Sequence, residues 1–378
     1  MIAANIISST TSASAPHGPM WSESRKSDRL PMTMDTVTDR LMRMRIISLT
    51  VLVFATLPLF AGAPRVYNNA DGIVHKMADP YILQHDGRYY LYGTDDAPPA
   101  INKGFTVRVS TDLVNWSAPC GAGPEGRALD APDVFGERAF WSAQVNERNG
   151  VFYMFYTAEE HIAVATSSSP LGPFVQKVKT TMRPQKTIGG MPFIDTDGRA
   201  YLFYTAFDNK ANEVFVEEMT DDWMSAKPET RRRCIWWTQP WENSDPRPKY
   251  KRWPVNEGAS ILKHKGIYYM FYTANHFMSP KYAVGYATAA TPLGPWIKSK
   301  DNPVLSQTPI VRGVGSVSFV TAPNGDRYIV YHAHKTPDTV LPRKMCMDRI
   351  EFVPNQVAGQ PDIPKIHGPT DTPVSVPW

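Results

Sequence analysis

The chain has 378 residues, of which 42% are hydrophobic and 20% are charged, and its formal net charge is +4. This is the composition of an ordinary globular protein, long enough for one large domain or two small ones. No basic tract alternates with aromatic residues, so the sequence argues against a nucleic-acid partner.

The N-terminal part of the chain differs from the rest. Arg43 and Arg45 precede the apolar run "IISLTVLVFATLPLF" (46–60), which is followed by the small residues "AGA". A basic start, an apolar centre and a small-residue end are the three parts of a secretory signal peptide. A transmembrane helix is the weaker alternative, because the run is short and contains a proline. We predict an extension and signal peptide over 1–63 and one domain over 64–378. The mature protein would be secreted or periplasmic and free of the membrane.

One strand-like phrase recurs five times in the remainder. The copies are "GRYYLYGT" (87–94), "GVFYMFYT" (150–157), "GRAYLFYT" (198–205), "GIYYMFYT" (266–273) and "GDRYIVYHA" (325–333). Each begins at a turn such as "HDG" or "RNG", whose residues supply the positive φ values of a tight hairpin. Each then continues through aromatic and β-branched residues, which favour strands. The recurrence predicts one supersecondary unit used five times.

The repeated strands are apolar on both faces. In "YYMFYT", Tyr268, Met270 and Tyr272 point to one side, while Tyr269 and Phe271 point to the other. A strand with only one dry face would alternate apolar with polar residues, so these strands belong to sheets that are covered on both sides. With almost no helical signal, the pattern predicts an all-β fold, a five-bladed β-propeller of four-stranded antiparallel blades. The alternative is a β-sandwich whose strands are similar by coincidence.

The three cysteines, Cys120, Cys234 and Cys346, lie far apart in the chain. Their spacing does not suggest a zinc site. Outside the cell, one disulfide and one free thiol are compatible with this count.

Two carboxylates lie just upstream of repeat phrases, where the innermost strand of a blade is expected. Asp79 lies in "HKMADPYIL" and Glu257 in "PVNEGASIL". Ligands of propellers usually bind at one end of the central channel, so side chains from inner strands are the candidates. Glycoside hydrolysis needs two carboxyl groups, held roughly 6.5–9.5 Å apart in an inverting enzyme. Taken singly, each residue can equally be a turn former, but the matched placement favours a functional pair.

At these residues the chain resembles glycoside hydrolase family 43, the five-bladed propellers that act as arabinofuranosidases, xylosidases and arabinanases. The matching phrases include "ADPYIL", "FWSAQV", "FIDTDGRAYLFYT", the long "NEGASILKHKGIYYMFYTANHF" and "PRKM". Together they extend over essentially all of 71–355. The long phrase is highly specific, whereas "ADP" alone is weak.

The resemblance implies roles for individual residues. Asp79 would be the general base that activates water, and Glu257 the general acid that protonates the leaving oxygen. Arg343, in "PRKM", would lie near the base and the sugar. Trp141 is a candidate for the wall of the substrate pocket.

The loop "IWWTQPW" is a second candidate for this wall. Its Trp236 and Trp237 lead through a proline-rich stretch towards Glu257, so we predict that they bind substrate over the channel mouth. The alternative is that they pack against a neighbouring loop.

Two positions depart from the family pattern. The resemblance implies a third carboxylate, an aspartate that tunes the acid, where this chain has Gly189. It also implies a histidine that helps to hold a central cation, where this chain has Ser316. We therefore predict no cofactor and no metal ligand, and a calcium ion in the channel is disfavoured by Ser316.

The favoured function is a secreted hydrolase of O-glycosidic bonds in arabinose- or xylose-containing oligo- or polysaccharides, with inversion. One alternative is a carbohydrate-binding propeller with weakened catalysis, which Gly189 and Ser316 motivate. Another is a related propeller glycosidase with a different sugar specificity, since fold does not fix function. The sequence leaves the oligomeric state open.

Overall fold

The computed structural model describes residues 65–96, 98 and 101–378. The expected signal peptide lies outside these residues and stays a prediction. No helix in the described part is long and apolar enough to cross a membrane.

The described chain consists almost wholly of strands joined by turns. In chain order, the strands begin with β1 Arg65–Tyr67, β2 Val74–His75, β3 Met77–His85, β4 Arg88–Asp95, β5 Gly104–Thr106, β6 Arg108–Ser110, β7 Arg127–Asp130 and β8 Trp141–Arg148. They continue with β9 Val151–Ala158, β10 His161–Ser167, β11 Thr187–Ile194, β12 Ala200–Ala206, β13 Glu213–Glu218, β14 Arg232–Ile235, β15 Asn256–His264 and β16 Ile267–Ala274. The last are β17 Ala283–Ala289, β18 Ile297–Lys298, β19 Gly315–Thr321, β20 Arg327–Ala333, β21 Lys344–Val353, β22 Ile363–Ile366 and β23 Val374–Val376.

Helices in the described residues are short. One α-helix, α1, covers Pro248–Lys251, and four 3₁₀ turns cover Pro124–Gly126, Ala131–Asp133, Pro228–Thr230 and Pro240–Asn243. All five contain a proline at the first or second position. Proline is compatible with that place because the first helical N–H groups have no partner within the helix.

Five antiparallel sheets form the blades. Blade I has the strand order β3-β4-β6, blade II β8-β9-β10, blade III β11-β12-β13-β14 and blade IV β15-β16-β17-β18. Blade V has the order β19-β20-β21-β2, and β22 also pairs with β21. The first strands of the blades, β3, β8, β11, β15 and β19, contact one another in that order, and β19 contacts β3. They therefore surround one axis, which confirms the five-bladed propeller. Blades I and II have three strands each.

The last blade is completed by a strand from the start of the described chain. In blade V, Val74 of β2 pairs with Met345 of β21, and His75 pairs with Lys344. Strands β1 and β23 pair beside it, with Val66 opposite Ser375. The ring is thus closed by hydrogen bonds between the two ends of the propeller.

The repeated phrases form the second strand of each blade. The glycine that opens each copy has a φ between 69° and 89°, as the hairpin turns require. Every residue of β12 is buried, and only the first residue of β16 is not. The apolar clusters lie between neighbouring blades, which explains why both faces of these strands are apolar.

The cysteines are unpaired. Cys234 and Cys346 are buried, while Cys120 is exposed. Burial raises the pKa of both buried thiols, so these two side chains are expected to be poor nucleophiles.

Candidate active site

A β-bulge recurs in the innermost strand of all five blades. Strand pairing shifts register between Ala78 and Tyr81, Trp141 and Gln144, Ile188 and Met191, Glu257 and Ser260, and Gly315 and Ser318. The first residue inside each bulge has a positive φ; these residues are Asp79, Ser142, Gly189, Gly258 and Ser316. Bulges bend a strand and redirect its side chains. Because the inner strands surround the axis, these five residues form a ring around the channel, here called the bulge ring.

The bulge ring corrects one expectation from the sequence. Asp79 lies in the ring, but Glu257 lies one position before it and is equivalent to Ala78 and Trp141. The two carboxylates therefore do not occupy equivalent places. The equivalent of Asp79 in blade III is Gly189, which carries no side chain, and no heavy atom would lie within 4 Å of a Cβ added there.

The threonine at the end of a repeat phrase hydrogen-bonds to the bulge of the next blade. The Oγ1 atoms of Thr94, Thr157 and Thr273 accept the backbone N–H groups of the next blade's bulge residue, Ser142, Gly189 and Ser316, each at 2.9 Å. Where the ring closes, the fifth repeat ends in "YHA" instead of "YT". His332 takes the place of the threonine, and its Nδ1 accepts the N–H of Asp79 at 3.2 Å.

Asp79 is the only carboxylate of the bulge ring. Its φ of 47° is uncommon for a residue with a side chain, although Asp and Asn tolerate this region best. Strained backbone of this kind tends to occur at functional sites. Oδ2 accepts a hydrogen bond from Thr94 Oγ1 at 2.6 Å, and Oδ1 lies 3.6 Å from His332 Nδ1. One oxygen of the carboxylate is thus fixed by a hydrogen bond, while 16% of the side chain stays accessible.

Arg343 is buried next to this carboxylate. Its Nη2 and Nε atoms donate to Asp96 at 2.9 and 3.1 Å, and its guanidinium lies 4.7 Å above the Phe277 ring. Burial opposes the charge of Arg343, but the negative charges of Asp79 and Asp96 keep its pKa above the usual value. The structure therefore brings Arg343 to Asp79, with Asp96 as an anchor that the sequence did not reveal.

His332 is the buried neighbour of Asp79 and Arg343. Burial, together with the positive charge of Arg343, places its pKa well below the usual value. The neutral ring lies parallel to that of Tyr282, with the centroids 5.6 Å apart. This stack connects the side of the site that holds Asp79 with the side that holds Glu257.

Glu257 lies in a different environment. Its Oε1 accepts a hydrogen bond from the Tyr282 hydroxyl at 2.9 Å, and its Oε2 accepts one from Asn212 Nδ2 at 3.1 Å. Burial raises the pKa of Glu257 to about 7 against the effect of the Tyr282 hydrogen bond. The charge of Asp79 adds to this rise, while Asn212 and Arg343 oppose it. A carboxyl group with this pKa can give up a proton near neutral pH.

Asn212 is itself held by an indole. Trp253 Nε1 donates to Asn212 Oδ1 at 2.7 Å. Both residues line a cavity of about 740 Å³, whose other walls include Tyr250, His276 and Glu160. The cavity thus lies next to Asn212, which donates to Glu257.

The other predicted residues lie as follows. Trp141 is half-buried at the start of β8, in the position equivalent to Glu257. Trp236 and Trp237 follow β14, the outermost strand of blade III, and are 40% and 47% exposed. The Trp236 ring lies under the Arg233 guanidinium, 4.1 Å away. The substrate-binding roles of these three tryptophans stay predictions. Trp253, which follows α1 in the same connection between β14 and β15, is the tryptophan that hydrogen-bonds to Asn212.

Sequence reasoning missed several residues of the candidate site. They are Thr94, Asp96, Asn212, Trp253, Tyr282 and His332. Thr94 and His332 had a signal, since each is the eighth residue of its repeat phrase, where the first four copies have threonine and the fifth has histidine. Asn212 and Trp253 had none, because they lie in loops of irregular sequence.

The residues around the channel do not fit a cation held by histidine and carboxylates. In the part of the chain that the structure describes, no three side chains of His, Cys, Asp or Glu are grouped to hold a metal ion. Of the bulge ring, only Asp79 carries a charge, and Ser316 offers a single hydroxyl.

The chain as a whole is similar to known glycoside hydrolases. The family model described as "Glycosyl hydrolases family 43" matches residues 73–357. The solved structure of an endo-1,4-β-xylanase from Bacteroides thetaiotaomicron is 36% identical, with a TM-score of 0.70, over 81% of this chain and 98% of that one. A thermostable family-43 glycoside hydrolase is 37% identical, with a TM-score of 0.71, over 82% of this chain and 99% of that one.

One curated relative is named for a different sugar. The β-D-galactofuranosidase of Aspergillus niger is 26% identical over 297 residues, which are 73% of this chain and 79% of the relative.

Proposed function

The chain belongs to glycosyl hydrolases family 43, and we propose that it is a secreted hydrolase of arabinose- or xylose-containing carbohydrates that works with inversion, using Asp79 as general base and Glu257 as general acid. That it is a glycoside hydrolase follows from the family. The sugar, the stereochemistry and the two residue roles are the proposal.

The observation that supports these roles is the contrast between the two carboxyl groups. Glu257 is buried between Tyr282 and Asn212, and its pKa of about 7 keeps a large share of it protonated near neutral pH. Asp79 instead accepts a hydrogen bond from Thr94 Oγ1 and lies beside the positive charge of Arg343. Two carboxyl groups in different environments can take different roles, and the raised pKa of Glu257 suits the acid.

The proposed reaction is a single displacement. Asp79 takes a proton from a water molecule, whose oxygen attacks the anomeric carbon on the face opposite the leaving group. The glycosidic bond breaks, and Glu257 gives its proton to the departing oxygen. The proton on Asp79 and the missing proton on Glu257 then re-equilibrate with solvent, so the net change is the addition of one water molecule.

The substrate class rests on the relatives and on the cavity. The similar proteins are named for xylan and for galactofuranosides, and the family resemblance adds arabinofuranosides. The cavity of about 740 Å³ beside Asn212 and Trp253 has room for the leaving part of an oligosaccharide.

The test is hydrolysis of nitrophenyl α-L-arabinofuranoside, β-D-xyloside and β-D-galactofuranoside by wild type, Asp79→Asn and Glu257→Gln. We expect turnover of at least one pentoside and a loss of at least about 10³-fold in Asp79→Asn. ¹H NMR of the first-formed sugar should show the anomer opposite to that of the substrate. Retained configuration would overturn the single displacement. Wild-type activity in Asp79→Asn would overturn its role as base.

The same panel tests two other functions. Turnover of the galactofuranoside alone would assign the enzyme to that sugar. Binding of xylo- or arabino-oligosaccharides by a folded wild type without any turnover would indicate a weakened enzyme, which the glycine at position 189 makes a specific alternative.

Export is proposed from the sequence of residues 1–63. Mass spectrometry of the protein recovered from the medium or periplasm of the source cells should give a mature N-terminus close to Ala63. An intact N-terminus on intracellular protein would overturn it.

A further inference from the structure

The acid candidate Glu257 is held at both of its oxygens by neutral donors. Tyr282 donates to Oε1 and Asn212 to Oε2. The charged groups that face this carboxyl are Asp79 of the first blade and Arg343 of the last. The orientation of the carboxyl therefore depends on the two neutral donors, and one of them can present two different atoms.

Asn212 has a donor end and an acceptor end. A side-chain amide can turn so that either its NH₂ group or its oxygen faces a neighbour. The indole N–H of Trp253 can only donate, and it lies 2.7 Å from Asn212 Oδ1. The amide oxygen is therefore committed to Trp253, which leaves the NH₂ group for Glu257 Oε2.

The backbone of Asn212 is fixed by the segment that contains Trp253. Its N–H donates to the Pro254 carbonyl at 2.9 Å, and its carbonyl accepts the N–H of Asn256 at 3.0 Å. Residues 253–256 lead directly into β15, the strand that carries Glu257. Asn212 is 8% exposed, whereas Trp253 is 40% exposed, so the indole can be changed with little disturbance of the core.

We propose that Trp253 is a positioning residue for the general acid: its indole N–H holds the Asn212 amide so that the NH₂ group faces Glu257. The proposal rests on the role of Glu257 given above. With a donor at Oε2, the protonated form keeps Oε2 as its carbonyl oxygen and carries its proton on Oε1. Without the indole N–H, the amide is free to turn its oxygen towards Oε2, where it repels the ionised carboxylate and accepts a hydrogen bond from the protonated carboxyl.

The consequence is a defined effect on titration. Loss of a donor to the ionised form, or its replacement by an acceptor, favours the protonated form and raises the pKa of Glu257. The group then stays protonated to higher pH, and the alkaline limb of the pH–rate profile moves upwards. A purely structural role of Trp253 would lower the rate without moving this limb.

The first experiment compares Trp253→Phe with wild type and with Trp116→Phe. Trp116 also donates its indole N–H, at 2.9 Å to the Leu113 carbonyl, but lies outside the cluster and serves as the matched control. The readout is kcat/KM against pH for a xylo- or arabino-oligosaccharide that wild type hydrolyses. We expect the alkaline limb of Trp253→Phe to move up by about one pH unit and that of Trp116→Phe to stay in place. A slower Trp253→Phe enzyme with an unmoved limb would overturn the proposal.

A double variant tests whether Trp253 acts through Asn212. We expect Asn212→Leu to move the limb in the same direction, and the combined variant to move it no further than Asn212→Leu alone, because the two residues act as one unit. Additive movements in the combined variant would contradict this coupling.

A titration that does not depend on activity separates this proposal from the proposed function. ¹³C NMR of protein labelled at the glutamate Cδ atoms, compared with the spectrum of Glu257→Gln, identifies the Glu257 signal. We expect its titration midpoint to be higher in Trp253→Phe than in wild type; equal midpoints would overturn the proposal. Wild-type turnover of the oligosaccharide by Glu257→Gln would instead overturn the role of the acid, whatever the midpoints are.

Discussion

Asp79 and Gly189 occupy the same position of the same bulge in two blades, with φ values of 47° and 63°. In blade I the position carries a carboxylate that accepts a hydrogen bond from Thr94. In blade III it carries no side chain, although no heavy atom would lie within 4 Å of a Cβ there. The family resemblance places a third carboxylate at Gly189, so its absence has a direct test.

Gly189→Asp should be tolerated and should change the acid. Asp is among the residues that best adopt a positive φ, as Asp79 shows at the equivalent position. A second negative charge at the bulge ring, in the blade next to Glu257, should raise the pKa of Glu257 and move the alkaline limb of kcat/KM upwards by half a unit or more. Gly189→Asn is the control of equal size without charge. Equal pH profiles for the two variants would show that charge at this position does not reach the acid.

The pH dependence of the wild type follows from the pKa of Glu257. Only the protonated form can give a proton to the leaving oxygen, so kcat/KM should fall as pH rises through about 7. Tyr282→Phe removes a donor that lowers this pKa, and its limb should lie at higher pH than that of wild type. The measurement is kcat/KM between pH 4 and 9 with an oligosaccharide substrate. A limb that stays in place in Tyr282→Phe would contradict the hydrogen bond between Tyr282 and Glu257.

Glu257 should also reduce the stability of the fold at high pH. Its pKa is raised from 4.5 in the unfolded chain to about 7 in the folded protein. Below pH 4.5 the carboxyl is protonated in both the folded and the unfolded protein and costs no stability. As the pH rises from 4.5 to about 7, the unfolded chain ionises first, so the free energy of unfolding falls. Glu257→Gln should be more stable than wild type by up to about 3 kcal/mol above pH 7, with little gain below pH 4.5. Urea unfolding at pH 4.5 and pH 8 measures both differences, and the same difference at both pH values would be inconsistent with a buried titrating carboxyl.

The ion pair of Arg343 and Asp96 should contribute to stability because it is buried. Both side chains are 9% exposed. Asp96→Asn leaves the guanidinium without its bidentate partner and should cost about 3 kcal/mol of unfolding free energy. Asp197→Asn is the control, since its pair with Arg199 is exposed and should be worth little. Similar urea midpoints for the two variants would show that Asp96 is not needed to balance Arg343.

The fold could be predicted from the sequence because each copy of the repeat contains the local signals for one β-hairpin. Turn glycines and two-sided apolar strands specify one hairpin, and five similar hairpins with both faces buried favour stacking around an axis. The closure by β2 was not predictable, because Val74–His75 is too short to give a strand signal and its partner Met345 is far away in the chain.

The candidate site was predictable only where a residue lies in a repeat. Asp79 and Glu257 were found next to the repeated phrases. That Asp79 lies inside a β-bulge and Glu257 one position before one could not be predicted from the sequence. Trp236 and Trp253 lie in the same connection between β14 and β15, and periodicity does not tell which of the two indoles contacts Asn212. The answer depends on the path of the chain through α1 and the residues after it, which tertiary contacts determine.

The central claim is that Glu257 protonates the leaving oxygen, and a leaving-group series with Glu257→Gln tests it most directly. A leaving group that departs easily needs little protonation, whereas a sugar or alkyl alcohol needs a full proton. We expect Glu257→Gln to hydrolyse a dinitrophenyl glycoside at a rate close to that of wild type and to lose about 10³-fold or more on the corresponding oligosaccharide. An equal loss on both substrates, or no loss on the oligosaccharide, would contradict the role of Glu257 as the general acid.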